Sequence, residues 1–265
     1  MEPRPLTYDA QGQGDALVLV PGGLTGWLSW IPHQARLAST RTTIRVQPIH
    51  NELGSAGQVG DPSYTAEIER EALRMTLDSL TLNRVDFAGW SGGGRALLEF
   101  ALAYPERVRS LALVEPAAYW ILEQLGESAT EVEHTNRFLR RIQFHDVSEE
   151  DLAEFLRIAG FVRPGEDARA HPNWARWLPH RNALSWQSEA ADRSGRRVEE
   201  LRRIGCPVLL VRGDATAPWL RRVVDVLAGL LPRASVRDLA GDHACHIQSI
   251  NEFLDALETH LAAAR

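Results

Sequence analysis

The sequence predicts an α/β fold: a mostly parallel central sheet with helices on both faces, interrupted by an inserted helical segment. Three observations predict it. Short continuous apolar runs alternate with amphipathic stretches towards both ends of the chain, the pattern of strands buried on two faces and of the helices that cover them. The middle of the chain drops this alternation and keeps only helix-like pieces. The chain has 265 residues, 44% of them hydrophobic, enough to bury a sizeable core.

The first element is "DALVLVPGG" (Asp15–Gly23), an apolar run ended by Pro and Gly, which reads as a buried strand. "TTIRV" (Thr42–Val46) reads as a second strand. "SYTAEIEREALRMTLDSL" (Ser63–Leu80) brings Ile68, Ala72, Met75 and Leu80 near one helix face, with Ser63 as the N-cap. "RVDFAG" is the next strand, "GGRALLEFALAYPERV" the next helix, stopped by Pro105, and "SLALVEP" (Ser110–Pro116) the strand after it. From Ala117 to about Arg203 come helix-like pieces such as "HTNRFLRRIQF" and "SEEDLAEFLRIAG", no convincing buried strand, and four of the eight tryptophans. The alternation resumes with the strand "CPVLLVRG" (Cys206–Gly213) and the helix "WLRRVVDVLAGLLP" (Trp219–Pro232). The strand "ASVRDLAG" (Ala234–Gly241) and the helix "NEFLDALETHLAAA" (Asn251–Ala264) complete it. The chain thus divides into a core, residues 1–116 and 204–265, and a helical insertion, residues 117–203.

Composition removes several function classes. The net charge of −6 argues against nucleic acid, which needs a basic face. All 29 basic residues are arginine, so a Schiff-base lysine, a Ser-Lys dyad and a P-loop lysine are excluded. The two cysteines, Cys206 and Cys245, make neither a disulfide framework nor a zinc site. The start, "MEPRPLTYDA", carries no apolar signal-peptide run, and no apolar stretch approaches membrane-spanning length. The expectation is a cytoplasmic protein with a small-molecule substrate, no membrane or nucleic-acid partner, no metal and no cofactor. A homodimer is left open.

The stretch "DFAGWSGGGRALLEF" (Asp86–Phe100) carries the chemistry. Gly89-Trp90-Ser91-Gly92-Gly93 fits G-x-S-x-G between a predicted strand and a predicted helix, the context of a nucleophile elbow. The serine occupies a sharp, strained turn, and small neighbours two positions away let strand and helix approach. The competing reading is a glycine-rich turn with an incidental serine. A serine needs a base at neutral pH. Of nine histidines, His243 follows a predicted strand and precedes the last helix, at the carboxyl edge of the sheet where ligands bind in such folds. His246 is its rival. His33, His50, His134, His145, His171, His180 and His260 read as surface or packing residues.

These motifs resemble the α/β-hydrolase superfamily, in the branch with a helical cap. "LVLVPGG" is similar to the family's strand and oxyanion loop, with Pro21 where histidine is usual; "GWSGG" is similar to its elbow and "GDHACHIQSINEF" to its catalytic-histidine loop. The resemblance implies a Ser91–His243 pair, a cap over the site, and an acid in one of two places. The usual place, three residues past Gly213, holds Thr216, which carries no charge, and Asp214 lies one residue past that glycine. The other place is the end of the strand after the elbow helix, where Glu115 lies 24 positions after Ser91. A minority of the family resembles this arrangement, some lactonases and dehalogenases among them. Glu115 is favoured, with Asp214 the alternative. The oxyanion donors implied are the N–H groups of Gly92 and Gly23, with Leu24 as the substitute for the latter.

The expected activity is hydrolysis of a small apolar or aromatic ester or lactone through an acyl-enzyme, a carboxylic-ester hydrolase. Trp27, Trp90 and Trp120 are the expected pocket residues. Phe138, Phe155, Trp174, Trp177 and Trp186 are further candidates for the roof. The alternatives are a receptor-like ligand binder on the same fold with little turnover, and C–C hydrolysis or lyase chemistry in the same site.

Overall fold

The computed structural model describes residues 1–127, 130–163, 165–186 and 197–264. Seven strands form one sheet in the order β1-β3-β2-β4-β5-β6-β7. They are β1 (Thr7–Gln11), β2 (Ala16–Val20), β3 (Thr42–Gln47), β4 (Val85–Trp90), β5 (Val108–Val114), β6 (Val208–Gly213) and β7 (Ala234–Leu239). All neighbours pair in parallel except β1, which runs antiparallel to β3 at one edge.

The sheet is buried on both faces by helices, and its central strands show this residue by residue. Val18, Val20, Phe87, Leu111, Leu113 and Leu210 belong to one apolar cluster. Their strand neighbours Leu17, Leu19, Ala88, Ala112, Leu209 and Val211 belong to another. Alternate side chains point to opposite faces of a strand, so a run that is apolar at every position feeds both clusters. The first cluster contains Leu73 and Leu77 of α3 (Ala66–Ser79), Leu97 and Phe100 of α4 (Gly92–Ala103), and Val223 and Leu227 of α9 (Pro218–Leu230). The second contains Leu37 of α1 (Ile31–Leu37) and Phe253, Leu254 and Leu257 of α11 (Ile250–Ala263). Each fully buried Leu, Val or Phe contributes about 1.5–3 kcal/mol by leaving water.

Strand β1, two short helices and the cap of α3 differ from the sequence reading. Strand β1, "TYDAQ", is exposed along most of its length, so it lacks the apolar run that marks the buried strands. Helix α1 and helix α2 (Ile49–Ser55) are each seven residues, too short for a periodic pattern to stand out. Ser63 is not the cap of α3: Thr65 precedes that helix, and Ser63 instead accepts a hydrogen bond from the Met1 ammonium at 2.8 Å.

Between β5 and β6 the chain forms α5 (Trp120–Gln124), α6 (Thr130–Ile142), α7 (Glu149–Ile158), α8 (Trp174–Trp177) and several 3₁₀ turns. Among the described residues there is no strand in this stretch. A reciprocal cap starts α7: Ser148 Oγ accepts from Asp151 N–H, and the Asp151 carboxylate accepts from Ser148 N–H. The turn Leu178–Trp186 lies on α2. A Cβ at Gly54 would stand 2.2 Å from the Ala183 nitrogen, so only glycine permits this approach. Trp186 Nε1–H donates to the Gln58 carbonyl at 2.9 Å, and Ser55 Oγ lies 2.7 Å from His180 Nδ1. Short α10 (Cys245–Gln248) connects β7 to α11. Among the described residues no helix is long and apolar enough to cross a membrane.

Candidate active site

Ser91 stands between β4 and α4 with φ 52° and ψ −119°, a conformation costly for a residue with a side chain. Three hydrogen bonds impose it. Ser91 N–H donates to the Val114 carbonyl at 2.9 Å, extending the β4–β5 ladder. The Ser91 carbonyl accepts from Arg95 N–H at 3.0 Å, the first bond of α4, and from Ala117 N–H at 3.1 Å. The glycines permit the turn. A Cβ at Gly93 would lie 2.4 Å from the Val20 and Pro21 carbonyl oxygens, and one at Gly89 would lie 3.0 Å from Gly93 itself. The first N–H groups of α4 therefore stand beside the Ser91 side chain without helical partners.

Glu115 closes β5 with φ 40° and is fully buried. Its Oε1 accepts from Gly213 N–H at 2.7 Å, and its Oε2 accepts from Thr216 Oγ at 2.7 Å. The same Oε2 lies 2.7 Å from His243 Nδ1. An ionised carboxylate only accepts, so His243 carries its proton on Nδ1 and leaves Nε2 as the acceptor. His243 is 3% exposed. Its carbonyl accepts from Trp90 Nε1–H at 2.8 Å.

Asp214 does not reach His243. Its Oδ1 accepts from Gly241 N–H at 2.9 Å and holds the β7–α10 loop from outside. Thr216, at the position where the sequence motif leads one to look for an acid, donates to the acid supplied from β5. His246, the rival histidine, is fully buried with neither ring nitrogen hydrogen-bonded among the described residues. Its ring lies 5.2 Å from that of His33 and 4.7 Å from Trp90. Burial, with His33 and His243 nearby, holds its pKa well below the usual histidine range.

Ser91, Gly92 and His243 line one pocket, closed by Tyr119, Leu139, Phe155, Ile158 and Trp219. The loop after β2 approaches Ser91: a Cβ at Gly22 would stand 3.1 Å from Ser91 Cβ, and Leu24 is buried with φ 58°. Gly23 lies between them. Trp27, Trp90 and Trp120, the tryptophans expected to line the pocket, are not among the described residues that line it. Trp27 lies under the Arg45 guanidinium, 5.5 Å from its ring centroid, and its N–H donates to Gln47. Trp90 packs behind His243, at 5.5 Å between rings, and Trp120 is buried within the larger apolar cluster. Of the expected roof aromatics, Phe155 faces the pocket. Phe161 was missed; its ring meets His243 at 5.2 Å. Trp219 was missed as well, although its place just beyond β6 is the carboxyl edge of the sheet. Among the described residues no cluster of His, Cys, Asp and Glu could hold a metal.

Residues 17–256 match the model of a family described as the alpha/beta hydrolase family. The chain belongs to the alpha/beta hydrolase family. The chain is 30% identical over 178 residues to 2-hydroxymuconate semialdehyde hydrolase of Pseudomonas sp. (strain CF600), covering 63% of this chain and 60% of that one. It is 33% identical over 117 residues to carboxylesterase YbfK of Bacillus subtilis (strain 168), covering 42% of this chain and 38% of the relative. The chain thus spans less than two thirds of the length of these relatives. The crystal structure of carboxylesterase CesB (YbfK) from Bacillus subtilis matches with a TM-score of 0.73 at 21% identity, over 99% of this chain and 90% of that one. At that identity the likeness is one of fold.

Proposed function

We propose that this hydrolase cleaves a carboxylic ester or lactone with an apolar or aromatic body through an acyl-enzyme. One observation carries the reading: His243 accepts support from a buried carboxylate at 2.7 Å while sharing a pocket with Ser91. Ser91 attacks the carbonyl carbon, and His243 Nε2 takes the hydroxyl proton. Glu115 keeps the imidazole in the right tautomer and stabilises the imidazolium. The tetrahedral oxyanion is met by the N–H of Gly92 and the N–H of Gly23, with Leu24 as the alternative second donor. Collapse breaks the carbon–oxygen bond, and the leaving alkoxide takes the proton from His243. Water, deprotonated by the same histidine, then attacks the acyl-enzyme and releases the acid and free Ser91.

Residues 117–203 act as a cap in this reading: α6 and α7 supply Leu139, Phe155 and Ile158 to the pocket wall. A second reading is C–C bond hydrolysis, favoured by the resemblance to a semialdehyde hydrolase. Among the described residues that line the Ser91 pocket none carries a guanidinium to meet the carboxylate of a muconate-type substrate, which supports the ester.

A series of p-nitrophenyl esters, run beside 2-hydroxymuconate semialdehyde, tests both. Turnover of the esters that disappears in Ser91→Ala supports the ester reading. Ester turnover that persists in a folded Ser91→Ala chain refutes the assignment of the nucleophile. Turnover of the semialdehyde alone replaces the ester reading with the second.

A further inference from the structure

Two cavities share one wall. The Ser91 pocket measures about 30 Å³, room for about two water-sized spheres. Thr135, Ile158 and Trp219 line it, and the same three side chains line a second cavity of about 520 Å³. Val162, Ala215, Ala217 and Pro218 give the second cavity a mainly apolar body, and the exposed Arg157 and Arg163 stand on its rim.

Trp219 is the main bulk of that wall. It opens α9, is 8% exposed, and donates its Nε1–H to the Ile158 carbonyl at 3.0 Å. That bond ties the start of α9 to the end of α7. On the other side its ring meets Tyr119 at 6.4 Å.

We propose that the larger cavity is a second substrate compartment for an apolar acyl or aryl chain, and that Trp219 with Ile158 is the partition that sets how much of a chain passes into it from Ser91. This rests on the ester-hydrolase reading. A pocket of two water volumes holds the reacting carbonyl and a very short acyl group. A longer chain needs further apolar volume, and the neighbouring cavity falls in the size range of ordinary ligand pockets. Burying a chain there yields about 25 cal/mol for each Å² removed from water. The partition withholds that gain while it is closed, so the intact chain favours short esters.

The test compares kcat/KM for p-nitrophenyl acetate and p-nitrophenyl decanoate. In Trp219→Ala and in Ile158→Ala the decanoate-to-acetate ratio rises by about tenfold or more. Both activities vanish when Ser91→Ala is added. Ala215 is exposed and lines only the larger cavity, so Ala215→Phe refills that space without cutting the core. Added to either wall variant, it returns the ratio towards that of the intact chain. Ile158→Ala is the milder truncation and stands alone if Trp219→Ala fails to fold. An unchanged ratio in a folded Ile158→Ala chain that still hydrolyses acetate overturns the compartment, as does a gain that survives Ala215→Phe; the ester reading stands in both cases. Absence of Ser91-dependent acetate hydrolysis in the intact chain removes the ester reading, and this inference with it.

Discussion

Trp90 and His243, 153 positions apart, are joined by a buried hydrogen bond: the indole N–H of Trp90 donates to the His243 carbonyl at 2.8 Å. Trp90 directly precedes Ser91, so one side chain couples the elbow to the histidine loop. Its ring also lies 5.5 Å from the imidazole. Trp90→Phe keeps an apolar ring and deletes the donor. A lost neutral hydrogen bond costs about 0.5–1.5 kcal/mol. The expected result is a fall in kcat of roughly three- to tenfold, with KM for a short ester nearly unchanged. A change confined to thermal stability, with kcat intact, would show that the bond serves the fold alone.

Glu115 and Asp214 separate cleanly in their bonding. Glu115 accepts from Gly213, Thr216 and His243, whereas Asp214 accepts from Gly241 N–H. Glu115→Gln removes the charge and offers an amide that stabilises the wrong histidine tautomer. A drop in kcat of about 10⁴ is expected by analogy with other triads. Asp214→Asn retains the side-chain oxygen that accepts from Gly241, so kcat stays within about threefold if only that bond matters. Steady-state rates on a single p-nitrophenyl ester decide this, with circular dichroism to establish that both variants fold. The reverse pattern would assign the acid to Asp214.

These contrasts mark where the sequence is legible and where it stops. β2, β4, β5 and β6 are readable because burial on two faces demands apolar residues at nearly every position. β1 is not, because an exposed antiparallel edge makes no such demand. Ser91 could be found because its turn requires glycines at fixed offsets, and those offsets lie along the chain. The preference for Glu115 over Asp214 rests on Thr216 standing where the family's acid is usual and on the place of Glu115 after β5; how the Glu115 side chain reaches across the end of β6 is visible only in the fold. The pocket lining is harder still. Trp27 and Trp90 adjoin the right loops, yet Arg45 claims one ring and the His243 loop claims the other. Which faces of α6 and α7 meet the pocket is a matter of tertiary packing, in which the Leu178–Trp186 turn contacts both helices and docks on α2.

That docking depends on Gly54. The Ala183 backbone approaches so closely that an added Cβ would stand 2.2 Å from its nitrogen and 2.3 Å from its Cα. The neighbours are backbone atoms, which cannot rotate away. Gly54→Ala should destabilise the chain by about 1–3 kcal/mol, the usual range for overpacking. It should also raise KM for esters by loosening the segment that supplies the pocket wall. Chemical denaturation and ester kinetics on the same sample check both effects. An unchanged denaturation midpoint would mean that α2 and the Leu178–Trp186 turn separate without loss.

Acid should weaken the fold through a buried histidine behind the site. His33 is fully buried; its Nε2 lies 3.0 Å from the His246 carbonyl, which only accepts, so the proton sits on Nε2. Its Nδ1 has no partner among the described residues. Burial first, and the Arg36 charge after it, lower its pKa from 6.5 to about 4, although the His246 carbonyl pulls the other way. The folded state therefore resists a proton that the unfolded chain accepts readily. The neutral form's stability is fully present above pH 6.5 and is lost as pH falls towards 4. A shift of that size corresponds to about 3 kcal/mol at most. His246 is held low in the same direction and adds to the loss. Urea midpoints should fall steadily between pH 7 and pH 4.5. His33→Phe, which keeps an aromatic ring between Trp30 and Phe253, should flatten that slope. Equal slopes in the variant and the intact chain would place the acid sensitivity elsewhere.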